Sequence, residues 1–208
     1  MGRDGAGKRV ARQEAEDQAA HAAWHSAQRY AFHLARGGRP SSVFVNGAIL
    51  RPDEQAAFET VADHARFYGD DGTYTHTQGM FLGSWQFVAT GFAATAMANS
   101  VKKHRAEARS VPRWRDVLRT RVVATGQRLM VEIPNRGLQS FWYAGMQELY
   151  PAPRQWGVVM VWPDGAPLRL TGLSAPYLAV HIAAHVMPGR WTQHPDLAEL
   201  VRGPVDGA

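Results

Sequence analysis

RVVATGQRLMVEI, residues 121–133, is the stretch on which the reading of this chain turns. Its valine, leucine and isoleucine positions favour a strand, yet Thr125, Gly126 and Arg128 interrupt the middle of the run. In one continuous strand Thr125 and Arg128, three apart, face opposite sides of the sheet. Glycine is turn chemistry, and an arginine beside a turn can donate to exposed carbonyl groups. The Thr-x-x-Arg step therefore marks a sheet hairpin and not a nucleophilic site.

Three further apolar segments follow, LQSFWYAGMQELY, WGVVMVW and PLRLTGL, at a spacing of about ten residues without an intervening helix. Turn chemistry separates them at Pro134-Asn135-Arg136-Gly137, Pro151-Ala152-Pro153 and Pro163-Asp164-Gly165. This order predicts an antiparallel meander, with its clearest hairpin at Pro163-Asp164-Gly165. The run closes in SAPYLAVHIAAHVMPG, a helix with Ser174 as N-cap and Leu178, Ile182 and Val186 on its apolar face. Pro188-Gly189 stops it.

Upstream, residues 1–9 read as a flexible basic tail, and residues 10–42 as a helix with a linker. The helical stripe is Ala20, Trp24, Ala27, Tyr30, Ala31 and Leu34, and Gly37-Gly38 ends it. Asn46-Gly47 is a hairpin-turn dipeptide. Over residues 51–69, Pro52, Asp53 and Glu54 suit a first helical turn, and Phe58, Val61, Ala62, Ala65 and Tyr68 share a helical face. Periodicity there favours helix over strand. Residues 79–101 form the longest uncharged run, but Gln86, Asn99 and several hydroxyls favour a buried or interfacial helix over a membrane span.

The segment VVATGQRL (Val122 to Leu129) leading into the tryptophan-bearing SFWYAGMQEL resembles the V-x-x-T-x-x-R-L signature of bacterial pleckstrin-homology-like domains, relatives of the GRAM type. The Asp-Gly hairpin, LRLTG and the Ala175-Pro176 helix start match the same layout, mainly over residues 114–187. ILRPDE is similar to the L-x-P-G-E opening of such domains, with Asp53 where glycine is usual. The resemblance implies an α+β fold: a small antiparallel PH-like sheet or barrel with a C-terminal helix, plus an N-terminal helix and a helical insertion. It implies a domain at 43–190, an insertion at about 79–110 and a C-terminal tail at 191–208. It also implies, against the periodicity, that part of residues 54–68 is the first strand. Some relatives bind phosphoinositides or proteins.

Several function classes lack their residues. Cysteine is absent, which removes disulfides, thiolate zinc sites and cysteine nucleophiles. The N-terminus has no apolar core of a secretory signal. No G-x-S-x-G elbow, Walker A loop or G-x-G-x-x-G occurs. The pairs His21/His25 and His181/His185 have ligand spacing, but neither carries the glutamate of a metalloprotease helix, and structural histidines are the simpler reading. No catalytic residue, metal or cofactor is assigned, and the chain is read as a non-enzyme.

Charge offers the one candidate site. The net charge of +5 suits anionic partners, and residues 101–121 concentrate it. Lys102, Lys103, Arg105, Arg109, Arg113, Trp114 and Arg115 are the anion-binding candidates, with the indole suited to a membrane interface. Two readings stay open. One is a binding or scaffolding module, cytoplasmic or membrane-peripheral, that engages an anionic lipid surface or a protein partner. Residues 79–101 would serve self-association or membrane contact. The other is a nucleic-acid-binding protein using the basic tail and residues 102–121.

Overall fold

A computed structural model describes residues 3–68 and 113–203, with side chains from residue 7 onward. The expected insertion at 79–110, the self-association stretch 79–101, and Lys102, Lys103, Arg105 and Arg109 lie outside the described residues. Helix α1 spans Arg3–Ala35, so residues 3–9, expected as a flexible tail, are its first turns. Seven strands follow: β1 Ala56–Tyr68, β2 Arg113–Thr125, β3 Arg128–Ile133, β4 Gly137–Trp142, β5 Glu148–Ala152, β6 Gly157–Val161 and β7 Leu168–Thr171. Helix α2, Ala175–Val186, closes the meander, and α3, Ala198–Val201, ends the described chain. All pairings are antiparallel, in one open sheet of order β4-β3-β2-β1-β7-β6-β5.

The fold is α+β, but LQSFWYAGMQELY, expected as one segment of the meander, splits into β4 and β5 on opposite edges of the sheet, and Pro151-Ala152, expected as a turn, lie within β5. β1 corrects the helical expectation for residues 54–68. Alanines and inward polar residues hide its period of two, and pairing with β2 on one side and β7 on the other decides for strand. The Asn46-Gly47 dipeptide does turn the chain, with the Ala48 N–H donating to the Val45 carbonyl at 3.5 Å, but no paired strands flank it.

One core runs through both halves of the sheet. Val122, Ala124, Leu129 and Val131 from one side meet Val158, Met160, Leu168 and Leu170 from the other. Helix α2 covers them with Leu178 and Ile182, and α1 covers α2 in turn with Ala27, Tyr30 and Ala31. Each fully buried leucine or isoleucine contributes roughly 1.5–3 kcal/mol. Ser174 does not cap α2 with its side chain; its hydroxyl donates to the Val61 carbonyl at 2.8 Å, tying the helix start to β1. Residues 191–203, expected as a tail, instead form short helical turns that bury Trp191, Leu197 and Leu200. Among the described residues, no helix is long and apolar enough to cross a membrane.

Two polar devices sit inside this frame. At the β2–β3 turn, Thr125 and Arg128 do not diverge as a single strand would require, because Gly126 and Gln127 reverse the chain between them. Both reach the buried carboxylate of Glu54: Thr125 Oγ1 donates at 2.8 Å, and Arg128 Nε and Nη2 each donate at 2.8 Å. Arg128 also donates to Ser140 Oγ and to the Ile49 carbonyl, both at 2.7 Å, and lies over the Trp142 ring. Burial works to raise the Glu54 pKa, but hydrogen bonds from Arg128, the Arg51 N–H and Thr125 outweigh it and hold the carboxyl low. The second device joins α1 to α2. Tyr30 donates its hydroxyl proton to His181 Nδ1 at 2.7 Å, and His181 Nε2–H donates to the Thr125 carbonyl at 2.9 Å.

Candidate functional site

The inner face of β1 changes character along its length. Ala62 and His64 are buried, Arg66 and Tyr68 half-buried, and all four point the same way because they alternate along a strand. Here the ladder with β2 carries a bulge: His64 pairs with Leu118 and Arg66 with Arg115, so Ala65 faces two residues, Asp116 and Val117. Asp116 takes φ 53°, a left-handed conformation that aspartate tolerates better than most side chains. The bulge turns the Asp116 carbonyl to accept from His64 Nδ1–H at 3.1 Å and its carboxylate to accept from the Tyr68 hydroxyl at 2.8 Å.

These residues form one wall of a groove of about 790 Å³, with Ile133, Arg136, Gln139 and Phe141 opposite. A cleft of about 380 Å³ between β4 and the β6–β7 turn adjoins it, sharing Arg66, Ser140, Phe141 and Ala166. Trp162 Nε1–H donates to the Trp142 carbonyl at 2.7 Å and holds that turn against the edge of β4.

Arg66 is the distinctive group. Its guanidinium lies 5.1 Å from the Phe141 ring centroid, and among the described residues it forms neither a hydrogen bond nor an ion pair. Burial lowers its pKa, while the nearby Asp116 charge works the other way. Directly across the ladder stands Arg115, on the same face, with its guanidinium 5.5 Å from the Tyr68 ring centroid. Arg115 Nε–H donates to the Tyr68 carbonyl at 3.0 Å, which keeps its stem at the rim. Arg136, on the β3–β4 turn, adds a third cation. His64 is neutral, because burial lowers its pKa, and with Nδ1–H committed to Asp116 its Nε2 carries the lone pair.

Of the described candidates from the sequence, Arg115 and Arg113 stand beside the groove without lining it, opposite Arg66 and Tyr68 in the ladder. Trp114 does not. It lies on the opposite face of the strand, against Phe67 and beneath Arg169, whose guanidinium is 4.4 Å from the ring. There it packs with Val159, Val161 and Tyr150, so the expected interfacial indole is part of a packed outer cluster. Arg66, His64, Tyr68, Arg136 and Gln139 went unassigned. The spacing His64-x-Arg66-x-Tyr68 would have revealed three of them had the segment been read with period two.

Metal ligation gains no support from the histidine pairs. Both ring nitrogens of His181 are engaged by Tyr30 and Thr125, and burial pushes its pKa down to about 3. Among the described residues, no three potential metal ligands lie together. No family model, curated protein or solved structure matches the chain.

Proposed function

We propose that the chain is a non-enzymatic binding module of the PH-like kind whose groove around Arg66 takes an anionic group, a phosphate or carboxylate presented by a membrane surface or a protein partner. The observation that carries this reading is Arg66. Its guanidinium is half-buried and, among the described residues, neither hydrogen-bonded nor ion-paired, while Arg115 stands opposite in the ladder with its own guanidinium over the Tyr68 ring. An anion seated on Arg66 in the groove would offset the desolvation that burial costs its guanidinium. Ser140, Gln139 and the rim residue Arg136 supply neutral and charged donors around the same space. The meander, the Thr125–Arg128 corner and the closing helix α2 support the PH-like part of the reading.

Co-sedimentation with vesicles tests it. The wild-type chain is expected to pellet with anionic and not with neutral vesicles, less so at high salt, and the Arg66→Glu variant to stay in the supernatant. Retention of vesicle binding in Arg66→Glu, with loss in Lys102→Glu/Lys103→Glu/Arg105→Glu, would move the contact out of the groove. Failure of both wild type and variant to pellet would leave a protein partner as the source of the anion. Binding of short duplex DNA in preference to vesicles would favour a nucleic-acid function.

A further inference from the structure

Helix α1 is longer than the body it serves. Its docked part begins near Trp24, where Ala27, Gln28, Tyr30, Ala31 and Leu34 pack on α2 and the C-terminal turns. Residues 7–19 are exposed at every position. Between three and four turns of helix, roughly 20 Å at 1.5 Å per residue, therefore extend without a covering layer. Helices of this length are marginal on their own in water, and Gly5 and Gly7 weaken this one further.

Its charge order makes the isolation odder. Lys8, Arg9 and Arg12 come first, and Glu14, Glu16 and Asp17 follow. The helix dipole favours the reverse, with acids toward the N-terminus and bases toward the C-terminus. The ion pair among the described side chains of the stretch, Arg12 Nε–H to Glu16 Oε1 at 2.7 Å, also has the weaker orientation, with the base preceding the acid. Gln13 supports Asp17 at 3.0 Å. A lone helix gains little from this arrangement.

A pair of such helices running antiparallel gains a great deal. The basic block of each then lies beside the acidic block of the other, related by a two-fold axis near Gln13, and the two dipoles also run head to tail. Ala11 and Ala15 sit on either side of that axis and let the backbones approach closely. The bodies attach from about residue 24 onward, at opposite ends of the overlap, so they do not collide. We infer that the projecting half of α1 is a homodimerisation arm, whose partner is the same segment of a second copy of this chain. The inference is independent of the groove.

Charge swaps give a test that folding cannot confuse, because the exposed turns do not touch the body. Sedimentation equilibrium of the full chain at low salt should show a dimer that weakens about tenfold or more when salt is raised to several hundred millimolar. Lys8→Glu/Arg9→Glu/Arg12→Glu should be monomeric, as should Glu14→Lys/Glu16→Lys/Asp17→Lys. Mixing these two variants should yield a heterodimer, and combining all six changes in one chain should restore the homodimer. A wild-type monomer at high micromolar concentration, or a dimer indifferent to either triple swap, would overturn the proposal.

Discussion

Two half-buried or buried arginines, Arg128 and Arg66, stand on either side of β4 and have opposite fates. Arg128 is consumed: two bonds to Glu54, one to Ser140, one to the Ile49 carbonyl and an indole beneath it. Arg66 lies against the Phe141 ring, near the Asp116 charge, and among the described residues forms neither a hydrogen bond nor an ion pair. Both side chains carry the same charge and lose water. The first therefore holds the fold together, and the second is the group to which we assign anion binding. Buried charge by itself says nothing of role; the accounting of its partners does.

Breaking the Arg128 side should cost most. Glu54→Ala strands a buried guanidinium, and such losses amount to about 3–5 kcal/mol, read as a lower urea midpoint. The same carboxyl sets an acid limit. Its folded pKa lies below the unfolded value, so its contribution is whole above the unfolded carboxylate range and is lost as pH falls through the folded pKa. A Glu54→Gln chain should lose that part of its acid sensitivity.

Next in size is the α1–α2 link. Tyr30→Phe leaves His181 Nδ1 buried without a donor and should cost about 1–3 kcal/mol. His181 adds a pH dependence of known sign. Its folded pKa is depressed to about 3, so the stability it confers is complete above the unfolded value of 6.5 and falls as pH drops between the two. One proton corresponds to a slope of about 1.4 kcal/mol per pH unit at 25 °C. Urea midpoints measured from pH 7 to 4 should show that slope in the wild type and a shallower one in His181→Gln.

Arg121 provides the control between the extremes. Its bidentate contact with Glu59, at 2.8 and 3.0 Å, is partly exposed, so Arg121→Ala should cost less than about 1 kcal/mol. Arg66→Gln should change stability least of all, within about 0.5 kcal/mol or slightly upward, since it removes a partly desolvated charge. A destabilisation of 2 kcal/mol or more there would mean that Arg66 belongs to the framework after all.

The half of the molecule after residue 113 was legible because its signals are local. Valine-rich runs, Pro-Asp-Gly and Thr-Gly-Gln-Arg each act within a few residues, and the strands and turns fall where those residues put them. The Thr125–Arg128 corner was legible as a turn but not as a clamp, because its third member, Glu54, is 71 residues from Thr125 in the chain. β1 misled for a physical reason. Its inner face bears Ala62, His64, Arg66 and Tyr68, which look like no apolar stripe, and their meaning depends on a groove that other strands complete. The Asp116 bulge is a backbone choice that spacing does not reveal. A count of basic residues in 101–121 likewise could not tell Arg115 at the rim from Trp114 packed behind it.

The most direct test follows the two arginines at once. Titrating the protein with a soluble polyphosphate while recording Arg Nε–Hε resonances by NMR reports on each guanidinium separately. The account predicts that Arg66 and Arg115 shift progressively and saturate, while Arg128 stays where it is. Uniform small shifts of the exposed arginines, with Arg66 unmoved, would contradict it.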